Sequence, residues 1–277
     1  MFSPEGPGLR ELAVQALSSV EHGYDLLAPK FDHTPFRTPD PVLESVAAAL
    51  DGIGPFTDGL DLCCGTGAGM DVLARVCRES VTGVDFSAGM LDVARRNHTT
   101  AGQPDPSGLS GLSEPSGLSE PSGPSGLTGP SRPSRPRGPR TAWVRGDARA
   151  LPFGPAFDLV VSFGAFGHFL PRELPGLFAQ VHSVLRPGGA FAFPVLAPPR
   201  PTRPAYWMLL GFDAVMRVRN AVWRPPFVMY YRAFRLGTVL AELERVGFTT
   251  DLRALPEFGR RADGSPRARL LVARRPR

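Results

Sequence analysis

The residues able to do chemistry gather around three acids and three glycines. Residues 60–69 read Leu60-Asp61-Leu62-Cys63-Cys64-Gly65-Thr66-Gly67-Ala68-Gly69. Glycines that follow a short apolar run and lead into a helical stretch let the backbone approach a ligand closely. The spacing is GxGxG, whereas a nicotinamide dinucleotide fingerprint reads GxGxxG. Asp61 stands four residues before Gly65. A pyrophosphate gains nothing from a neighbouring anion, but a cationic ligand does. Asp85 closes the run Val81-Thr82-Gly83-Val84-Asp85, where an acid can accept from both hydroxyls of a ribose. Asp147 follows a third apolar run, in Gly146-Asp147-Ala148. Three carboxylates at the carboxyl ends of adjacent strands are expected to converge on one crevice. The ligand they suit carries hydroxyl and amino donors and a positive charge.

Such a crevice needs strands that end beneath it and helices that begin beside it. The pattern supplies both: strand 60–63, helix 69–78, strand 81–85, and helix 88–97 capped by Ser87. Strands 142–145 and 157–162, helix 174–185, strand 190–195, helix 236–246 and strands 249–255 and 268–274 follow. This predicts an α/β fold: a doubly wound, mostly parallel seven-stranded sheet with an antiparallel last strand. Ahead of it, helices 9–20 and 41–50, the latter with Asp40 as N-cap, are expected to form an N-terminal helical lid over residues 1–50, with a loop from Tyr24 to Pro41 between them. Residues 51–277 form the main domain. Within it, 197–235 is Pro-rich and then aromatic, either a lid over a substrate or ordinary core packing.

The chain of 277 residues holds 31 Gly and 31 Pro, and the excess is local. In Gly102–Arg140, Gly, Pro and Ser make up 26 of 39 residues, too little apolar surface to offset the entropy of ordering, so a disordered insertion is expected. It reads either as a tether or as a neutral surface insertion. Net charge is +5, carried almost wholly by Arg, at the end of the insertion (Arg132, Arg135, Arg137, Arg140) and in the last 25 residues. No basic stripe interleaved with aromatics is present, so a single-strand nucleic-acid groove is disfavoured. Cys63, Cys64 and Cys77 form no CxxC pair and no metal-ligand spacing with the histidines. No leader segment and no apolar run of about 18 residues is seen, so a soluble, cytoplasmic protein is expected.

At this point the residues resemble a known family, the class I S-adenosylmethionine-dependent methyltransferases. The glycine loop at 61–69, Val-Asp-Phe-Ser-Ala-Gly-Met at 84–90, Gly-Asp-Ala-Arg-Ala-Leu-Pro-Phe at 146–153, Phe-Asp-Leu-Val-Val-Ser at 157–162 and Leu-Arg-Pro-Gly-Gly at 185–189 occur in the family's order. The resemblance implies S-adenosylmethionine as cofactor. It would pass Gly65 and Gly67 under the methionine portion with Asp61 nearby, and hold the ribose on Asp85. Phe86 would pack on adenine, Asp147 would accept from its exocyclic amine, and the Ala148 amide would face the ring. Ser162 and Phe163 would line the pocket near the reacting methyl. The family's Tyr-Asp-x-x-Ala-x-x-Tyr-Asp segment is represented by Tyr24 to Asp32, with Phe31 replacing the second Tyr. Tyr24 is counted with the cofactor residues on this basis, and the two vicinal cysteines read as buried fillers.

Methyl transfer from a sulfonium needs positioning and exclusion of water more than a nucleophile. A base matters only where the acceptor is protonated. His168, after the fourth strand, is the candidate general base, or else a packing histidine. The fourth strand ends in Ser162-Phe163-Gly164-Ala165, not the Asn/Asp-Pro-Pro-Tyr/Phe used on exocyclic base amines, and no Pro-Cys pair for cytosine is present. A small, apolar or aromatic acceptor is therefore expected, with no membrane partner. The alternative is an RNA or protein methyltransferase docking through the Arg-rich insertion end and tail. Neither a metal site nor an oligomeric state is implied.

Overall fold

Runs of apolar residues in parallel strands need cover on both faces of the sheet. In a computed structural model of the chain, described for residues 5–8, 10–11, 14, 17–34, 36–99, 138–197, 199, 201–223, 228–229 and 236–277, that cover comes from helices on each side. Among the described residues seven strands form one sheet: β1 (Phe56–Leu62), β2 (Cys77–Asp85), β3 (Arg140–Arg145), β4 (Phe157–Val161), β5 (Leu185–Leu196), β6 (Thr249–Ala254) and β7 (Ala268–Arg274). Their order is β3-β2-β1-β4-β5-β7-β6. The first five run parallel, and β7 lies antiparallel to both β5 and β6, the sheet expected from the sequence. The chain moves outward through β1, β2 and β3, then returns to place β4 on the other side of β1. Loops leave the sheet in opposite directions at that reversal and open a crevice at the carboxyl ends.

The helices are α1 (Val20–Leu27), α2 (Asp40–Asp51), α3 (Ala68–Val76), α4 (Ala88–Thr99), α5 (Leu174–Val184), α6 (Pro204–Val222) and α7 (Leu236–Val246). Strand residues divide between the two faces with a period of two. Leu159, Val161, Ala190, Ala192, Leu270 and Val272 pack with α2 and α3 through Val46, Leu50, Met70 and Leu73. Val160, Phe191, Phe193, Leu271 and Ala273 pack with α5 and α7 through Phe178, Val181 and Leu243. Burying a side chain of this size contributes about 1.5–3 kcal/mol, so the two cores hold the strand ends in fixed register.

Several boundaries differ from the sequence expectation: β1 begins at Phe56 rather than Leu60, β5 at Leu185 rather than Ala190, and Pro39, not Asp40, stands at the N-cap of α2. Tyr24 lies in a helix, not a loop, because the Ser19 hydroxyl accepts from His22 N at 3.2 Å and caps a new helix, α1. β2 begins at Cys77, where the third helix was expected to continue to Arg78. Gly59 on β1 makes room there, since a Cβ would stand 2.7 Å from Cys77 Sγ. The expected insertion lies outside the described residues except for Gly138, Pro139 and Arg140. The central part of the 197–235 segment is α6, and no described helix is long and apolar enough to cross a membrane.

Candidate functional site

Asp61 is the last residue but one of β1 and is 1% exposed, yet among the described residues neither of its carboxylate oxygens has a hydrogen-bond partner. Burial pushes its pKa well up, and the Asp85 charge adds to the rise. A buried carboxylate without a donor is costly unless a cation or donor completes it. The Gly69 amide turn approaches so closely that a Cβ there would collide with Asp61 Oδ2 and stand 2.7 Å from Phe163. Gly65, at φ 54°, has no atom within 4 Å of where its Cβ would be. A side chain at Gly65 would fill that open space, which is what a cradle for a ligand requires. Gly67, at φ 93°, caps α3, and His98 and Trp143 pack behind it.

Asp85 ends β2, 6% exposed. Its Oδ2 accepts from Gly65 N and its Oδ1 from Ser87 N, both at 2.9 Å. Burial raises its pKa, and these amide donors partly oppose the rise. A carboxylate has about four acceptor sites, so capacity remains beyond these amide donors, the requirement for gripping a vicinal diol. Asp147 stands apart from this buried pair. It is at the rim, and Arg149 grips it with Nη2 at 2.7 Å and Nε at 3.0 Å, which holds its pKa down. Desolvation pushes up the thiol of the partly buried Cys63, and the charges of Asp85, Asp61 and Asp147 add to the rise. Cys63 turns the chain out of β1 at φ 57°.

The remaining expected residues fall around the same edge. Phe86 is half-buried, and its carbonyl accepts from Arg145 Nε at 3.2 Å. Ala148 is buried. Ser162 donates to the Leu62 carbonyl at 3.0 Å, so it ties β4 to β1. Tyr24 is carried over the crevice by α1, and its hydroxyl meets His168 Nε2 at 2.8 Å rather than the glycine loop. His168 Nδ1 lies 2.9 Å from the Val228 carbonyl. A carbonyl can only accept, so Nδ1 carries the proton and Nε2 accepts from Tyr24. Burial lowers the His168 pKa and keeps the ring neutral near pH 7, with the Val228 bond partly opposing.

Sequence reasoning missed the clasp that holds this cover. Asp25 Oδ1 accepts from Ser87 Oγ at 2.6 Å and from Gly89 N at 2.9 Å, at the amino end of α4. Asp32 Oδ1 accepts from Thr66 Oγ1 at 2.6 Å, inside the glycine loop. The two acids of the Tyr24–Asp32 segment were the available signal.

The model for the methyltransferase domain family matches residues 26–251 of the chain. The chain belongs to the class I S-adenosylmethionine-dependent methyltransferases. S-adenosylmethionine is the cofactor of this family. Among relatives of this methyltransferase chain, an uncharacterised methyltransferase of Synechocystis sp. (strain ATCC 27184 / PCC 6803 / Kazusa) is 30% identical over 173 residues. That match takes in 62% of this chain and 61% of the relative, so the chain spans about three fifths of it. Among solved structures, an O-methyltransferase family protein from Burkholderia thailandensis superposes over 96% of this chain and 68% of its own, with TM-score 0.59 and 16% identity. Magnesium protoporphyrin IX methyltransferase from Synechocystis PCC 6803, solved with bound SAH, covers 84% of this chain and 81% of its own, with TM-score 0.50 and 18% identity. At these identities the two structures speak for the fold alone.

Proposed function

We propose that the chain transfers a methyl group from S-adenosylmethionine to a small acceptor with an apolar or aromatic body, at an oxygen, nitrogen or carbon, in the cytosol. The carrying observation is the pair of buried acids at the ends of β1 and β2, one orphaned and one already braced by the glycine loop. Asp61 would face the cationic methionine portion, Asp85 the ribose, Phe86 and the Ala148 amide the adenine ring, and Phe163 the reacting methyl. Asp147 would reach the adenine amine from the Arg149 pair. When bound, the cofactor supplies an electrophilic methyl on a sulfonium. The protein's part is to align the acceptor, exclude water and hold any proton released.

The acceptor's site lies under α1 and α6. Met216 and Met229 are buried there against Tyr24, Phe36, Leu170 and Phe212, an apolar roof beside His168. These residues support reading 1–50 and 197–235 as the parts that close over substrate. For a hydroxyl acceptor, the proton would pass to the neutral His168 Nε2 by way of the Tyr24 hydroxyl. A panel of phenols, quinones and amines, assayed with methyl-labelled S-adenosylmethionine, tests the reading. Label should appear in an apolar or aromatic acceptor, and His168→Gln should lower kcat on a phenol about 100-fold. Because the His168 pKa is lowered, kcat/KM on that phenol should be flat above pH 6.5, the ordinary histidine value, and fall only on further acidification. Transfer to RNA or protein with no transfer to any small acceptor would overturn it.

A further inference from the structure

α6 turns polar side chains inward and an apolar face outward, the reverse of an ordinary surface helix. Asp213 is buried, and Arg219 and Asn220 are half-buried, on the face that also carries Met216 and Phe212 of the acceptor roof. The opposite face presents Pro204, Met208, Gly211, Val215, Val218 and Val222, all exposed. Their spacing alternates between four and three, the seam of a helix pair, and no charged residue falls in it. Arg217 is exposed at the margin of this face. Trp207 stands beside the seam near one end, and Trp223 follows its other end. Both indole N–H groups are already used inside the chain, on the Pro201 carbonyl at 2.8 Å and the Leu17 carbonyl at 3.2 Å, which leaves the rings as fixed apolar surface. Trp207, Met208, Val215, Val218, Val222 and Trp223 are 50–78% exposed. They leave roughly 800 Å² uncovered, more than a lone chain ordinarily shows and about what one partner gives to a standard interface.

Gly211 says what covers this face. It lies in the interior of α6, where glycine destabilises a helix relative to alanine. A Cβ at Gly211 would meet no atom within 4 Å, so nothing among the described residues requires glycine there. A missing side chain in the middle of an apolar seam lets another backbone approach closely, which a second helix uses and a fluid lipid surface does not. The seam is also matched to itself. Gly211 and Val215 straddle the midpoint of α6, so a two-fold axis there runs two such helices antiparallel. Gly211 then faces the partner's Val215, Met208 the partner's Val218, and Pro204 the partner's Val222. Arg203, exposed at the amino end, falls opposite the partner's Trp223 rather than another cation.

We propose that the outward face of α6 is the interface of a two-fold dimer, in which the α6 helices of two copies pack antiparallel with their closest approach at Gly211. This goes beyond the methyltransferase reading and does not depend on it. The pairing braces α6 from outside, opposite the packing of Met216 with Tyr24.

Sedimentation of the full chain tests the proposal. Wild type should be a dimer at about 10 μM. Met208 and Val218 are exposed in the single chain, so Met208→Arg and Val218→Glu should each keep the native circular dichroism. Each should raise the dimer dissociation constant about 100-fold. Mixed in equal amounts, the two variants should pair with each other to within about tenfold of wild type, because the antiparallel register sets the new cation of one against the new anion of the other. Gly211→Gln meets open space in the single chain and should weaken the dimer about tenfold or more by holding the helices apart. A chain that stays monomeric at about 200 μM, or a dimer that survives both Met208→Arg and Val218→Glu, would overturn the proposal. Dimers lost in each variant but not regained on mixing, or unmoved by Gly211→Gln, would overturn the antiparallel contact at Gly211. A monomeric wild type that binds phosphatidylglycerol vesicles, and loses them with Val218→Glu, would give the face to a lipid surface instead.

Discussion

At the scale of single residues, Asp61 is the acid whose two charge states should pull stability and cofactor binding in opposite directions. Its pKa is raised by burial and by Asp85, so the folded chain without ligand holds a proton more tightly than the unfolded chain does. Stability is therefore highest at low pH and falls as pH rises from the ordinary carboxylate range through the raised value. A ligand cation placed against Asp61 reverses this by completing the orphaned oxygens. Asp61→Asn should raise the melting free energy of the ligand-free chain at pH 8 by about 1–3 kcal/mol, with the gain fading as pH falls. The same variant should weaken S-adenosylmethionine about 10- to 100-fold by calorimetry, since a charged partner is lost in a buried place. A variant that lost both stability and affinity would show that Asp61 is structural instead. Contrast at the other end of the sheet makes the point. Burial alone would push Asp58 up, but Ser80 and Arg186 more than offset it and hold its pKa down. Asp58 at the amino edge is paired, whereas Asp61 near the carboxyl edge has no partner among the described residues.

The segment from α1 to Asp32 is held to the glycine loop and the start of α4 by a set of short polar contacts rather than a large core. Ser87 caps α4 through its bond from Met90 N at 3.1 Å and also donates to Asp25. Gly89 lies so close that a Cβ would sit 3.0 Å from Asp25 Cα. Asp25→Ala removes the anion from the amino end of α4 and leaves both donors open. It should raise the Kd for S-adenosylmethionine about tenfold and hasten proteolytic cutting before residue 34, while changing global stability by about 1 kcal/mol. Unchanged cutting would mean that the apolar contacts of Tyr24 and Phe31 suffice. The sequence carried the strands, the glycine turn and the two crevice acids plainly, because each rests on local spacing. It did not carry the clasp, because Asp25 meets Ser87 and Asp32 meets Thr66 only once the chain has folded. Nor did it carry the Arg149 grip on Asp147 or the Tyr24–His168 bond, which join positions whose types alone have many other uses. The Ser19 cap was legible in principle, but a helical period running through it masked the break.

At the scale of the molecule, the sheet's two edges along its strand direction carry different contacts. Asp58, Asp158 and Arg186 tie β1, β4 and β5 together at the amino edge, with Arg186 Nη1 at 2.8 Å from Asp58 and 3.0 Å from Asp158. The carboxyl edge holds the crevice and the His168 roof. The insertion joins α4 to β3, and β3 pairs with β2 alone, at the far end of the strand order from β5 and β7. α4 ends at Thr99, and β3 starts at Arg140 in parallel register with Ser80. Helix-to-strand connections in such units commonly need about 2–6 residues, so residues 102–139 exceed what the fold requires to return the chain. Deleting Gly102–Pro139 should therefore leave S-adenosylmethionine affinity within about threefold, because shortening a closed loop changes its entropy only slowly. Asp85 and the Gly65 turn are held through β2 and β1, which the deletion does not touch. Calorimetry on the deleted chain checks this directly. A collapse in affinity with β2–β3 pairing preserved by amide exchange would place part of the insertion at the cofactor crevice; a collapse of that pairing would show that the connection sets the register of the edge strand.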